Sequence, residues 1–289
     1  MDEAKRITTE TFRRKKAAGE KIVMLTAYDH PFARLVEEAG VDAILVGDSL
    51  GMVVLGYETT IPVTMAEMLH HTRAVARGVR RAMVVADLPF LSYQVGEDEA
   101  VRNAGRFLQE GGAAAVKLEG GREYARFIKR MVAAGIPVMG HLGLTPQSVH
   151  EFGGYGLRAK EAASALNLIE DALALAEAGV FAIVLEKIPR EVAAEVTARS
   201  PVPTIGIGSG PDCDGQILVL HDLLGLYEGF RPRFVKRYAE IGAAVREAVG
   251  RYVAEVREGV FPGAEHAWKM DEGELMEFRE RLRARGEGR

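Results

Sequence analysis

Short apolar runs rich in valine and isoleucine alternate along the 289-residue chain with longer stretches of helical periodicity. The runs are continuously apolar rather than alternating in polarity, which is typical of parallel strands covered on both faces. We predict eight strands, at Ile22–Tyr28, Ala43–Asp48, Met83–Leu88, Ala114–Glu119, Val138–His141, Ala182–Glu186, Thr204–Gly208 and Ile217–His221. Helical periodicity predicts intervening helices that include Thr64–Arg77, Glu97–Gln109, Glu123–Ala133 and Leu168–Ala178.

Eight strands with intervening helices in about 250 residues favour an α/β fold of the closed (β/α)8 TIM-barrel type over a doubly wound sheet. No linker of biased composition divides the chain, so we predict one domain over residues 1–289, with the barrel core at about 20–260. The connection from Gly208 to Ile217 is too short for a full helix. We also predict an N-terminal helix, a helical extension from beyond Arg231 to Glu258, and a charged C-terminal tail over 269–289.

The composition argues against several classes of protein. Hydrophobic residues make up 48% of the chain and the net charge is −4, which gives no general attraction to nucleic acid or to anionic membranes. The basic cluster Arg13–Lys16 has acidic neighbours and fits the polar face of the N-terminal helix. The first residues carry no apolar secretory signal, and no run approaches the ~20 apolar residues of a membrane helix. We therefore expect a cytoplasmic protein that binds neither nucleic acid nor membrane.

Charged side chains occupy the carboxyl ends of five predicted strands, which is where the reacting groups of such barrels lie. A charge that follows four or five apolar residues is costly to bury unless it is paired, hydrogen-bonded or bound to a metal. Five successive strand ends of this kind indicate one common site. Its candidate residues are Asp48 with Ser49, Asp87, Lys117 with Glu119, His141, and Glu186.

Three of these candidates are carboxylates that offer hard oxygen ligands, namely Asp48, Asp87 and Glu119. Oxygen ligands suit Mg2+ rather than zinc, and Mg2+ commonly uses one or two carboxylates together with water and substrate oxygens. The third carboxylate can then act through water. Lys117 lies two residues before Glu119 and faces the same side of the strand. It either faces an anionic substrate or neutralises the carboxylates.

Glu186 is far in sequence from the three candidate ligands and ends a partly apolar strand, which suits a proton acceptor. The alternative is an ion pair with the adjacent Lys187. His141 either contacts the substrate, for example by polarising a carbonyl, or makes a structural hydrogen bond. Two long glycine-rich connections, Leu50–Val63 and Gly143–Lys160, suggest flaps over the site.

Several longer strings of residues resemble a known family. VGDSLGM, GYETTIPVT, ADLPF, KLEGG, GHLGLTPQS and IGIGSGPDCDGQILVLHDLLG occur in this order over residues 46–225, and the likeness extends from Thr26 to Trp268. Together they resemble the ketopantoate (3-methyl-2-oxobutanoate) hydroxymethyltransferase family, whose barrel is of the phosphoenolpyruvate/pyruvate type.

The resemblance implies an enzyme that transfers a hydroxymethyl group from 5,10-methylenetetrahydrofolate to 3-methyl-2-oxobutanoate through a magnesium-stabilised enolate. The products are 2-dehydropantoate and tetrahydrofolate, in the first step of pantothenate and coenzyme A synthesis. It further implies a homo-oligomer, with a decamer expected. It implies that Asp48 and Asp87 bind magnesium, with Glu119 as the third acid. It also implies that the 2-oxo acid contacts Asp48, Ser49, Asp87 and Lys117, and that Glu186 accepts the proton.

Two alternatives remain at this point. One is another magnesium-dependent 2-oxo acid lyase or aldolase on the same barrel, which shares the enolate chemistry but does not use folate. The other is an inactive ligand-binding barrel, which the complete set of acids and lysine disfavours.

Overall fold

The computed structural model describes residues 6–227 and 232–286. Eight parallel strands form a closed barrel in sequence order, with the last strand hydrogen-bonded to the first. The strands are β1 (Ile22–Thr26), β2 (Ala43–Val46), β3 (Met83–Asp87), β4 (Ala115–Glu119), β5 (Val138–Gly143), β6 (Ala182–Glu186), β7 (Thr204–Ile207) and β8 (Gly215–Leu218). The predicted fold class is confirmed.

Twelve α-helices lie within the described residues, and no helix there is both long and apolar enough to cross a membrane. They are α1 (Thr9–Ala18), α2 (His30–Glu38), α3 (Leu50–Val53), α4 (Met65–Gly78), α5 (Glu97–Gln109), α6 (Ala125–Ala133), α7 (Val149–Phe152), α8 (Ala162–Ala178), α9 (Arg190–Arg199), α10 (Leu220–Leu223), α11 (Ile241–Glu258) and α12 (Glu272–Gly286). Only seven residues connect β7 to β8, and they contain no helix, as predicted.

The last strand lies earlier than the sequence predicts. β8 begins at Gly215, where a side chain would meet the backbone oxygen of Ile22 at 2.4 Å, so glycine permits the close pairing with β1. The apolar run then leaves the sheet, because the backbone N–H of Leu220 donates to Oγ1 of Thr26 at 3.0 Å and α10 begins there. His221 therefore lies in a short helix, and its predicted place in β8 was wrong.

The barrel interior is filled by alternate strand residues, whereas the intervening residues pack under the helices. The interior cluster consists of Phe12, Ile22, Met24, Ala43, Leu45, Met83, Val85, Ala115, Met139, Ala182, Val184, Ile205, Ile207 and Ile217. Side chains two residues beyond an interior position point to the same side of a strand. This alternation directs the polar residues at the strand ends into the barrel mouth.

The predicted N-terminal helix is α1, and it packs against the amino-terminal end of the barrel. Phe12 is fully buried in the interior cluster, and its ring meets Phe181 edge-on at 5.4 Å. Lys15 and Lys16 of the basic cluster form ion pairs with Asp42 and Asp214 at 2.6 and 2.8 Å. The cluster thus anchors the helix to the barrel.

The chain divides into two compact units, of which the barrel unit ends at Ala239. The helical stretch predicted to start beyond Arg231 begins only at Ile241, because residues 232–240 contain no helix and Val235 is buried. Arg231 itself lies outside the described residues. The second unit contains α11, which ends at a left-handed Gly259, and the charged tail forms α12. The single domain over 1–289 remains a prediction.

A carboxylate in α2 holds the connection between α4 and β3 and provides a test of stability. Glu37 accepts hydrogen bonds from the backbone N–H groups of Arg80, Arg81 and Ala82 at 2.6–2.9 Å. Partial burial raises the pKa of Glu37, but these donors and the Arg81 charge outweigh it and lower the pKa below 4.5.

We expect Glu37→Gln to lower the free energy of unfolding by about 1–2 kcal/mol at pH 7. A depressed native pKa stabilises the fold above the unfolded pKa, and this stabilisation is lost as the pH falls through the native value. The difference from the parent chain should therefore shrink below about pH 4. Urea denaturation across this range measures it, with Glu38→Gln on the same exposed turn as the control. An equal loss in both variants would contradict the prediction.

Candidate active site

All seven candidate residues line one cavity of about 460 Å³ at the carboxyl ends of the strands. Five of them follow the interior positions of β3 to β6, whereas Asp48 and Ser49 come just after β2. The structure thus brings together all the residues that the sequence predicts to share one site. They are Asp48, Ser49, Asp87, Lys117, Glu119, His141 and Glu186. Their individual roles remain predictions.

Lys117 lies at the centre of this group and is 3% exposed. Its Nζ is 2.9 Å from Oδ1 of Asp87 and 3.1 Å from Nδ1 of His141. Burial lowers the pKa of the lysine, but Asp87, Glu119 and Asp48 outweigh burial and raise it, so the amine remains charged.

The three buried carboxylates carry more negative charge than the one lysine compensates. Burial, followed by the charges of Asp87 and Glu119, raises the pKa of Asp48. Burial also raises the pKa of Asp87, although Lys117 opposes it. Oε1 of Glu119 is buried and accepts no hydrogen bond within the described part of the chain. The site is therefore short of positive charge and has oxygen atoms to offer a cation.

His141 connects the lysine to the predicted proton acceptor. Its Nε2 lies 3.2 Å from Oε2 of Glu186, and its Nδ1 lies 3.5 Å from Oε1 of Glu119. Burial and Lys117 lower the pKa of His141, whereas Glu119 and Glu186 raise it, and the net effect is a pKa of about 9. Nε2 thus lies on the side of Glu186, and Nδ1 lies on the side of Lys117 and Glu119.

Glu186 does not pair with its neighbour Lys187, which was the alternative role for this carboxylate. The ammonium of Lys187 instead donates to the backbone oxygen of Tyr155. The Glu186 side chain is 16% exposed and opens into the cavity. It is thus more accessible than Asp87 or Lys117.

Gln147 is a residue that our sequence analysis missed. Its Nε2 donates to Oδ2 of Asp48 at 2.8 Å and to the backbone oxygen of Leu88 at 2.9 Å. Its backbone N–H donates to Oε2 of Glu119 at 2.9 Å. Gln147 therefore holds two of the candidate ligands in place. Its signal in the sequence is a polar residue within GHLGLTPQS, in the long connection after His141.

The sequence also did not single out Tyr28, although this residue ends the first predicted strand. Its hydroxyl lies 2.9 Å from Oγ of Ser49 and is buried, which raises the pKa of the phenol. This contact orients Ser49 at the start of α3, where its Oγ lines the cavity. A tyrosine in an apolar run carries no sequence signal that separates it from a core residue.

The two long connections contribute walls to the site. The connection after β2 contains α3 and provides Met52, Val53 and Thr60 to the cavity. The connection after β5 contains a 3-10 turn and α7, and it provides Leu144, Pro146 and Tyr155. Both segments line the cavity, whereas their movement as flaps remains a prediction.

No group of three or more histidine, cysteine, aspartate or glutamate side chains forms a ready-made metal site in residues 6–227 and 232–286. Mg2+ does not need such a group, because it binds through one or two carboxylates with substrate oxygens and water. The metal roles of Asp48, Asp87 and Glu119 therefore remain predictions.

A family model described as ketopantoate hydroxymethyltransferase matches residues 6–264. The chain belongs to this family. A 3-methyl-2-oxobutanoate hydroxymethyltransferase of Carboxydothermus hydrogenoformans is 58% identical over 265 residues, which cover 92% of this chain and 96% of that relative. One from Syntrophus aciditrophicus is 59% identical over 268 residues, or 93% and 98% of the two chains. The ketopantoate hydroxymethyltransferase family predicted from the sequence is confirmed, and with it the prediction of an enzyme.

Solved structures outside the ketopantoate hydroxymethyltransferase family share the fold. A phosphonopyruvate hydrolase aligns with a TM-score of 0.60 at 16% identity and covers 96% of each chain. A 2,3-dimethylmalate lyase of the PEP mutase/isocitrate lyase superfamily aligns with a TM-score of 0.58 at 18% identity and covers 97% and 98%. At this level of identity the likenesses show the shared (β/α)8 barrel fold alone, and the phosphoenolpyruvate/pyruvate type remains a prediction.

Proposed function

We propose that the chain transfers a hydroxymethyl group from 5,10-methylenetetrahydrofolate to 3-methyl-2-oxobutanoate, giving 2-dehydropantoate and tetrahydrofolate as the first step of pantothenate synthesis. The observation that carries the proposal is the set of seven polar residues around one cavity in a chain of this family. Activity in the cytoplasm and assembly into a homo-oligomer, a decamer by resemblance, belong to the same proposal.

A magnesium ion fits the residues present. Asp48, Asp87 and Glu119 are buried around Lys117, and Oε1 of Glu119 has no hydrogen-bond partner within the described residues. Asp48 and Asp87 would hold the ion, with Glu119 as the third acid. When bound, Mg2+ would attract the keto and carboxylate oxygens of the substrate and stabilise the negative charge that develops there.

The remaining residues supply binding and proton transfer. Lys117 presents a fixed positive charge to the anionic 2-oxo acid, and Ser49 offers a hydrogen bond to its carboxylate. Glu186 accepts the C3 proton, while His141 holds its carboxylate from 3.2 Å. The C3 carbon then forms a bond to the one-carbon unit of the donor, and both bonds of that carbon to folate nitrogens break. The new bond to C3 replaces one of them and the hydroxyl of water replaces the other, while the protons released from C3 and from water end on the two nitrogens of tetrahydrofolate.

The test is turnover with and without methylenetetrahydrofolate, alongside exchange of the C3 proton followed by NMR. We expect the purified chain with Mg2+ to exchange the C3 proton without folate and to form 2-dehydropantoate only with folate. Turnover of 2-oxo acid without folate would favour the lyase or aldolase instead. The absence of both exchange and turnover would favour an inactive barrel.

A further inference from the structure

The cavity of the active site is larger than one small substrate requires. Its volume is about 460 Å³, whereas 3-methyl-2-oxobutanoate has only five carbons and three oxygens. Cavities of roughly 300–1,000 Å³ hold ligands of drug size. The seven polar residues follow β2 to β6 and line one half. The other half has a different lining and no role in the proposed proton transfer.

This second half, which we call the β8 half, is mainly apolar. It is lined by Ile207, Ile217, Leu218, Val219, Asp222, Tyr227, Pro232 and Phe234. The Phe234 ring lies directly over Gly208, where a side-chain carbon would meet the ring at 2.6 Å and where the backbone φ is +65°. Leu218 and Phe234 also pack against the interior cluster. A fixed aromatic ring with aliphatic neighbours suits a flat aromatic ligand.

Within the described part of the chain, Asp222 is the one carboxylate that lines the β8 half. It is half-buried on α10, whose start is held by the bond from the Leu220 N–H to Thr26. Burial raises its pKa, which Arg237 opposes. Among the described residues no donor hydrogen-bonds to this carboxylate. Its oxygens are therefore available to accept hydrogen bonds from a ligand in the cavity.

We propose that the β8 half binds the pterin ring of the folate donor, and that the Asp222 carboxylate accepts hydrogen bonds from the 2-amino group and the adjacent ring N–H. The two oxygens of a carboxylate match two neighbouring donors on a planar ring. The ring packs beside Phe234 and Leu218, and its one-carbon unit is directed toward the half that contains Glu186. This inference rests on the proposed function, because it takes the donor to be a folate.

A second cavity of about 760 Å³ is the rival location. It is lined by aromatic side chains and by carboxylates that include Glu123, Glu151 and Asp171. Of the seven site residues only Glu119 lines both cavities, and Asp171 is already paired with Arg122. A donor bound there would have its one-carbon unit behind Glu119 and Gln147, away from Glu186. The β8 half therefore fits the reaction better.

Asp222→Asn tests the assignment because it retains the shape and loses the charge. We expect the KM for methylenetetrahydrofolate and the Kd for tetrahydrofolate, measured by calorimetry, to rise about 10- to 100-fold. The KM for the 2-oxo acid and the rate of C3 proton exchange should remain as in the parent. Glu151→Gln, in the second cavity, is the matched control and should change none of these values.

An altered ligand provides an independent test of the inference, because this test does not depend on the folding of a variant. The 2-desamino-2-methyl analogue of tetrahydrofolate lacks the amino group that Asp222 would recognise. We expect it to bind the parent about 10-fold more weakly than tetrahydrofolate, and Asp222→Asn to bind both compounds alike. Equal binding of both compounds by the parent, or weaker folate binding in Glu151→Gln alone, would overturn the inference. Absence of C3 exchange and of folate-dependent turnover in the parent would instead overturn the proposed function.

Discussion

Glu186→Gln should retain binding of the 2-oxo acid and lose exchange of its C3 proton by roughly 100- to 10,000-fold, the usual contribution of a positioned general base. The amide occupies the volume of the carboxylate in the cavity wall but cannot accept the proton. The His141 Nε2 that lies 3.2 Å from Oε2 of Glu186 can still donate to the amide oxygen, so local packing should persist.

The measurement is the decay of the C3 proton signal in heavy water with Mg2+ and without folate, and calorimetry gives the Kd of the 2-oxo acid. Glu191→Gln is the matched control, because this exposed carboxylate follows on α9 and does not line the cavity. Exchange at the parental rate would remove Glu186 from its assigned role. Exchange lost together with substrate binding would assign it to binding instead.

Asp87→Ala should abolish the part of 2-oxo acid binding that depends on Mg2+. The loss should exceed about 100-fold, since even removal of an outer partner of a metal site costs roughly 10–100-fold in affinity. Asp87 is 1% exposed, and its Oδ1 is the close partner of Lys117 at 2.9 Å. Alanine therefore also leaves a buried ammonium with one partner fewer, which lowers stability.

Asp87→Asn separates these two effects because it preserves the volume. Calorimetry with Mg2+ and with EDTA should give one weak affinity in either variant, whereas EDTA should weaken binding only in the parent. Asp98→Asn, exposed on α5, is the control and should respond to EDTA as the parent does. A difference between Mg2+ and EDTA that persists in the variants would exclude Asp87 as a metal ligand.

The barrel and most of its site are predictable because they follow from local patterns. Continuous apolar runs mark strands buried on both faces, and the alternation of side chains along a strand then places Lys117 and Glu119 in the same cavity. The family resemblance rests on the order of the strings, and the predicted roles of the acids come from it. The pattern therefore identified every strand and the seven polar residues together.

The features of the fold and of the site that the sequence did not predict depend on contacts between segments far apart in sequence. Gln147 reaches Asp48 and Glu119 from a connection without periodicity, so its amide looks like any loop residue in the sequence. The end of β8 was misplaced because an apolar run continues through the strand into α10. The bond from Leu220 to Thr26 that separates them joins residues 194 positions apart.

The packing of Phe12 has a consequence for the order in which reactants arrive. This side chain is fully buried in the interior cluster and closes the amino-terminal end of the barrel, whereas the cavity with the seven polar residues lies at the carboxyl ends of the strands. Asp87 and Lys117 are nearly inaccessible, whereas Asp222 is only half-buried. With the donor seated beside Asp222 as we propose, the way to Asp87 and Lys117 would be obstructed. We therefore expect an ordered sequence in which the small acid binds before the folate and the product leaves last.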